Sequence, residues 1–131
     1  IGIGSGVVDR MHELGAPVRG VNVAEAPAMK ETYNNLRTEL WFKCKAWLED
    51  RSCKLPNDDE LLADLTGIRY AFTSSGKMAA ESKDAMRKRG LRSPDLADAV
   101  CLMMASDAAT ALSGPMSRWR GALKRNLQGI A

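Results

Sequence analysis

Val7, Val8, Met11 and Leu14 recur three and four residues apart, the spacing of one face of a helix. Ser5 is placed to cap that helix and Gly15 to end it. Apolar and polar residues then alternate in the valine-rich "VRGVNV" at 18–23, which predicts a strand. A helix leading into a strand suggests a βαβ unit whose first strand lies upstream of Ile1. Tyr33, Leu36, Leu40, Cys44 and Trp47 mark one face of a long helix over 31–49, and Trp41 and Leu48 widen the stripe.

Past a polar surface connection, Asp58 or Asp59 is suited to cap a short helix through Leu65 that stops at Gly67. "IRYAFTSSGKMAAES" reads as a hairpin turning at Ser75-Gly76, followed by a short basic helix in "SKDAMRKRG". The last predicted helix runs over 94–108, apolar nearly all round and therefore expected to be buried. Beyond Gly114-Pro115 lies a basic tail, 115–131, expected as a weak helix or a mobile segment.

Composition changes this picture little. A chain of 131 residues, 45% hydrophobic and 27% charged, suits one globular domain. Its net charge of +3 does not by itself argue for nucleic acid. The distribution is more informative: Lys83, Arg87, Lys88, Arg89 and Arg92 are clustered, and Arg118, Arg120, Lys124 and Arg125 crowd the tail. No apolar run is long enough to span a bilayer. Three cysteines without zinc-like spacing read as structural thiols of a reducing cytoplasm. With His12 the only histidine, carboxylates are left as the metal ligands. "GIGSG" at 2–6 fits neither the dinucleotide fingerprint nor a P-loop, and reads as a turn of close backbone approach. A start at Ile1, inside a glycine-rich run, suggests a piece of a longer protein.

The chemistry concentrates in "RKRGLRSPDLADAV", 87–100. Ser93 suits the N-cap, Pro94 the first helical position, and Asp95 the positive end of the helix dipole, worth roughly 0.3–1 kcal/mol. Capping accounts for Asp95 but not for Asp98, a turn deeper among apolar residues. A carboxylate there needs a partner, either a divalent cation shared with Asp95 on the same face or a nearby arginine. Arg87, Lys88, Arg89 and Arg92 are suited to DNA phosphates, with a solvated charged face as the alternative. Arg37 and Glu39 read as a structural ion pair. Trp41, Trp47, Met103 and Met104 read as core, and Asp9 and Glu13 as an exposed helix face. Trp119, between Arg118 and Arg120, is placed either to stack on a base or in a loosely held tail.

"GIGSGVVDRMHELG", "YNNLRTELWFKCKAWLE", "LPNDDELLADL" and "LRSPDLADAV", in this order, resemble the C-terminal nuclease part of the large terminase subunit of tailed bacteriophages and prophages. The SPDxADA element at 93–99 is the most specific part, supported by YNxRxELW at 33–41, and the likeness spans about 2–104. The resemblance implies an α/β fold, a partial ribonuclease H-like domain with a mixed sheet, flanking helices and its upstream strands missing. Residues 1–114 would form it. It implies two-metal cleavage of double-stranded DNA with Mg2+ or Mn2+, Asp98 matching the third acid of the cluster and Asp95 its neighbour.

The first two acids would precede Ile1, so the chain alone is expected not to cut DNA. An open sheet edge beside 18–23 would invite self-association. The implied partners are double-stranded DNA, the small terminase subunit and the capsid portal, in the cytoplasm of the bacterial host, with no membrane. A non-catalytic prophage remnant or scaffold fragment is the alternative, and another ribonuclease H-like enzyme such as a recombinase is a third reading.

Overall fold

Asn35 starts the central helix of the molecule. Its side-chain oxygen accepts the Thr38 N–H at 2.9 Å, and α2 runs from there as Leu36–Glu49. The computed structural model describes residues 3–51 and 53–105. The helix thus begins later than the apolar stripe predicted, because residues before Asn35 are committed elsewhere. Asn34 N–H donates to Met78 O at 3.0 Å and Met78 N–H to Thr32 O at 2.8 Å, a short parallel bridge.

The segment 18–23 is not the strand its alternation suggested, and no βαβ unit or sheet edge forms there. Its backbone acceptors serve helices instead. Val23 O accepts from Arg37 N–H and Glu25 O from Leu36 N–H, both at 2.9 Å, filling the open first turn of α2. Val18 O lies 2.8 Å from His12 Nε2.

The first helix, α1 (Ile3–Glu13), contains Ser5 rather than being capped by it. Gly15, at φ 72°, closes α1 with Ala16 N–H on Met11 O and its own N–H on His12 O, the paired bonds of a Schellman end. Val7 on α1 and Leu14 just after it remain exposed. After α2 come α3 (Asp59–Gly67), capped by Asp58 as expected, and the hairpin β1 (Tyr70–Phe72) and β2 (Met78–Ala80). The strands are antiparallel, pairing Tyr70 with Ala80 and Phe72 with Met78. Thr73 O accepts from Gly76 N–H, and Gly76 takes the left-handed φ of 78° that the turn requires. Helices α4 (Lys83–Lys88) and α5 (Asp95–Leu102) follow, and a 3-10 turn, Met103–Ala105, extends α5. The rest of the predicted last helix, the tail and Trp119 lie outside the described residues.

The core forms where α2 meets α3 and α5: Leu40, Trp41 and Cys44 from α2, Leu61 from α3, Ala97 and Cys101 from α5. Each large apolar side chain buried there contributes about 1.5–3 kcal/mol. Contrary to expectation, α5 is buried on one face only; Leu96, Leu102 and Met103 are exposed.

Ser93 is not its cap either. Its hydroxyl donates to Asp95 Oδ1 at 2.6 Å, and Pro94 occupies the cap position with no side-chain bond. The cap comes from another helix. Asp64 of α3, buried, accepts Leu96 N–H on Oδ2 and the Arg92 guanidinium on Oδ1, both at 3.1 Å. Asp64→Ala should therefore lower stability by about 1–3 kcal/mol, read from the urea midpoint. A loss below about 0.5 kcal/mol, the usual range for a surface change, would contradict this cross-helix cap.

Candidate functional site

Asp98 sits one turn into α5, facing α2 and α4. Its two oxygens have separate partners. Oδ1 accepts from Trp41 Nε1 at 2.8 Å and from Arg37 Nε at 3.3 Å. Arg37 Nη2 lies 3.2 Å from the same oxygen, close enough for ion pairing but off the direction of a hydrogen bond. Oδ2 lies 3.1 Å from Lys83 Nζ. The same ammonium is 3.0 Å from Asp95 Oδ1.

Two carboxylates thus converge on one cation, and local sequence explains why. Asp95 and Asp98 share a helix face at i and i+3. Arg37 and Trp41, at i and i+4 on α2, present both donors to the facing α5, with the guanidinium 5.8 Å from the indole centre. Lys83 opens α4, whose N-cap is Ser82. Arg37 Nη1 also donates to Glu81 O at 2.8 Å, fixing the end of the hairpin against the site.

The nearby-arginine alternative for Asp98 is therefore realised in the structure, by Arg37. The expected Arg37–Glu39 pair is not. Glu39, fully buried, instead holds Lys43 at 2.8 Å and accepts Ala28 N–H at 2.6 Å. Residues 37 and 39 cannot face each other on a helix. Lys83 was legible only as part of a basic cluster. Trp41 was legible as core, which it is, but not as a hydrogen-bond donor. The Arg37–Trp41 spacing was the signal that could have found both α2 donors.

Of the cations suggested for DNA, Arg87 pairs with Asp84 at 2.9 Å and Arg89 with Glu81 at 2.5 Å. Arg92 bridges Glu60 and Asp64. Lys88 is exposed and has no ion pair among the described residues.

Burial works to lower the Lys83 pKa, but the hydrogen bonds and charges of Asp95 and Asp98 outweigh it, leaving the ammonium above its usual value. Bonds from Ser93 and then Lys83 hold the Asp95 carboxyl below its usual range. Burial raises the Glu39 carboxyl, but Lys43 and the Ala28 N–H more than offset it and the net shift is downward. Arg89 lowers Glu81. Because these folded carboxyl pKa values are depressed, their stabilisation is present above the unfolded values near about 4 and is lost as pH falls through the folded ones. The urea midpoint should hold between about pH 7 and 5 and drop steeply below about pH 4. A midpoint unchanged at about pH 3 would contradict the ion pairs.

Does this set of residues suit a metal? The Lys83 ammonium marks a point within 3.1 Å of both carboxylates, so Asp95 and Asp98 can address one shared cation. No group of three or more His, Cys, Asp or Glu forms a metal-binding set among the described residues. The pair fits one edge of a metal centre and not a whole two-ion centre, since magnesium held by so few carboxylates keeps most of its waters.

No protein-family model matches the chain, and no curated protein matches its sequence. Solved structures do. The nuclease domain of the large terminase subunit gp2 of bacterial virus Sf6 superposes with a TM-score of 0.61 at 23% identity, over 79% of this chain and 61% of that one. Its K428A mutant with manganese and beta-thujaplicinol gives 0.63 at 21% identity, with the same coverage. The K428A mutant with calcium gives 0.56 at 22%. The chain thus spans about 61% of the length of these domains. No helix among the described residues is long and apolar enough to cross a membrane. At such identities the shared property is the fold: over 79% of its length this chain is built as the terminase nuclease domains of bacterial virus Sf6 are.

Proposed function

We propose that the chain is part of the nuclease module of a phage DNA-packaging terminase large subunit, a partial ribonuclease H-like fold that in the intact domain cuts double-stranded DNA with Mg2+ or Mn2+. One observation carries this: on a fold shared with terminase nuclease domains, Asp95 and Asp98 converge on a single cation position beside a motif that itself resembles that family.

Asp98 would hold the metal through Oδ2, with Asp95 assisting, and further acids from outside the described residues would complete the centre. A bound divalent ion supplies an activated water and charge stabilisation on the leaving oxygen. The chain's own residues orient the ligand. Arg37 and Trp41 pin Oδ1, so the carboxylate cannot rotate and Oδ2 stays presented. Lys83 holds Asp95 and Asp98 together, 3.0 and 3.1 Å from its ammonium, at the position a metal would share. Arg87 and Lys88, both exposed, are the cations best placed to meet duplex phosphates; Arg89 and Arg92 chiefly tie helices together. Residues 1–114 form the module, 115–131 its basic tail. The small terminase subunit and the capsid portal are its partners, in the host cytoplasm.

One observation favours the alternative of a non-catalytic fragment: Arg37 and Lys83 already balance the charge of Asp95 and Asp98 without any metal. Supercoiled plasmid separates the two. The intact domain should convert it to nicked and linear forms in manganese and leave it untouched in EDTA. No cleavage in manganese would leave a structural ion-pair cluster.

A further inference from the structure

Around Trp41, whose Nε1 donates to Asp98, α2, α3 and β1 border a groove of about 560 Å3. Its walls include Trp41, Phe42 and Tyr70 together with Lys45, Arg51 and Arg69. The volume falls within the roughly 300–1,000 Å3 of small-molecule sites. Its rings continue onto the surface. Phe42 meets Tyr70 edge-on at 5.2 Å, and Tyr70 meets Phe72 at 6.1 Å. Tyr70 and Phe72 share one face of β1 and are 57% and 67% exposed, so neither ring is used mainly for packing.

The charge of the groove is one-sided. Glu49, the carboxylate in its wall, is taken up by Lys45. Arg51 and Arg69 are exposed and make no ion pair among the described residues; Glu81, held by Arg89 at 2.7 Å, attracts Arg69 more weakly. Arg51 carries a further oddity. It ends α2 at φ 55°, the left-handed conformation in which glycine is favoured. The chain therefore keeps a cation beside the groove at a conformational cost, and such outliers cluster at functional sites.

We propose that this groove binds an unpaired stretch of DNA, one base stacked on Tyr70 and neighbouring phosphates on Arg51 and Arg69. Exposed rings beside exposed cations are what single strands need, because every base has a flat face and every linkage a negative charge. Trp41 joins this groove to the carboxylates, lining the one and bonding Asp98 with its Nε1. The choice of DNA rests on the nuclease reading; the chemistry of rings and cations does not.

The test is fluorescence anisotropy of labelled oligothymidylate with the full 131-residue chain in EDTA, where cleavage plays no part and binding is read alone. Tyr70→Ala should weaken binding about tenfold, while Tyr70→Phe should retain it. Arg51→Gly should make the log–log salt dependence shallower by roughly 0.7 and raise thermal stability at the same time, because glycine relieves the left-handed strain. That opposite movement of affinity and stability is not expected of a purely structural arginine. Equal affinity of Tyr70→Ala, or a duplex of the same length competing as well as the single strand, would overturn the proposal. A concentration-dependent dimer dispersed by Tyr70→Ala would assign the face to a second copy and overturn it too.

Discussion

Trp41→Ala is expected to remove about 3–5 kcal/mol of folding stability, a large share of what a domain of this size possesses. Trp41 is 8% exposed and packs with Leu40, Cys44, Leu61, Ala97 and Cys101 where α2, α3 and α5 meet. Truncation opens a cavity there and also strips Asp98 of its 2.8 Å donor. Trp41→Phe separates the two effects. It keeps most of the packing but loses the N–H and part of the ring, so it should cost less than the alanine variant, with about 1.5–3 kcal/mol for the bond to a charged group. Urea unfolding of the three proteins, at unchanged m-value, reads both numbers. A loss below about 1 kcal/mol for Trp41→Ala would mean that the core does not centre on this ring.

Several local signals were well read. Asp58 before α3, Gly15 after α1 and Ser75-Gly76 in the hairpin each act on backbone groups within a few residues of themselves. Ser5, also a local signal, lies inside α1 instead of capping it; other failures are at a distance. The alternation at 18–23 predicted a strand, but a strand needs a partner, and Val23 and Glu25 spend their carbonyls on the first turn of α2. Ser93 looked like the cap of α5, yet Asp64, which lies on α3, reaches its Leu96 N–H. The same holds for the site. Asp98 was found because a carboxylate among apolar residues requires a partner, which is a statement about one helix. Naming Arg37, Trp41 and Lys83 as those partners required knowing that α2, α4 and α5 converge. Tyr70 and Phe72 read simply as strand residues; that they leave a face of rings in solvent depends on what covers β1.

Asp98→Asn carries the account's central claim, that Oδ2 of this residue is a metal ligand. Asparagine has nearly the same shape and retains an oxygen for the Trp41 N–H, so α5 should stay docked. The charge goes, and with it the ability to hold a divalent ion. Even outer groups that only orient metal ligands are worth about 10–100-fold, so loss of a ligand should lower manganese-dependent cleavage by the intact domain at least about 100-fold. Asp95→Asn should do less, since that residue is 76% exposed and is already engaged by Ser93. Were the carboxylates only an ion-pair cluster, Asp98→Asn would instead leave Arg37 and Lys83 underpaired and appear as a stability loss with no change in metal binding. The direct measurement is therefore the rate of plasmid nicking in manganese by the intact domain and its Asp98→Asn variant, with matched circular dichroism spectra. The account predicts a folded variant that does not nick; nicking by Asp98→Asn at close to the unsubstituted rate would contradict it.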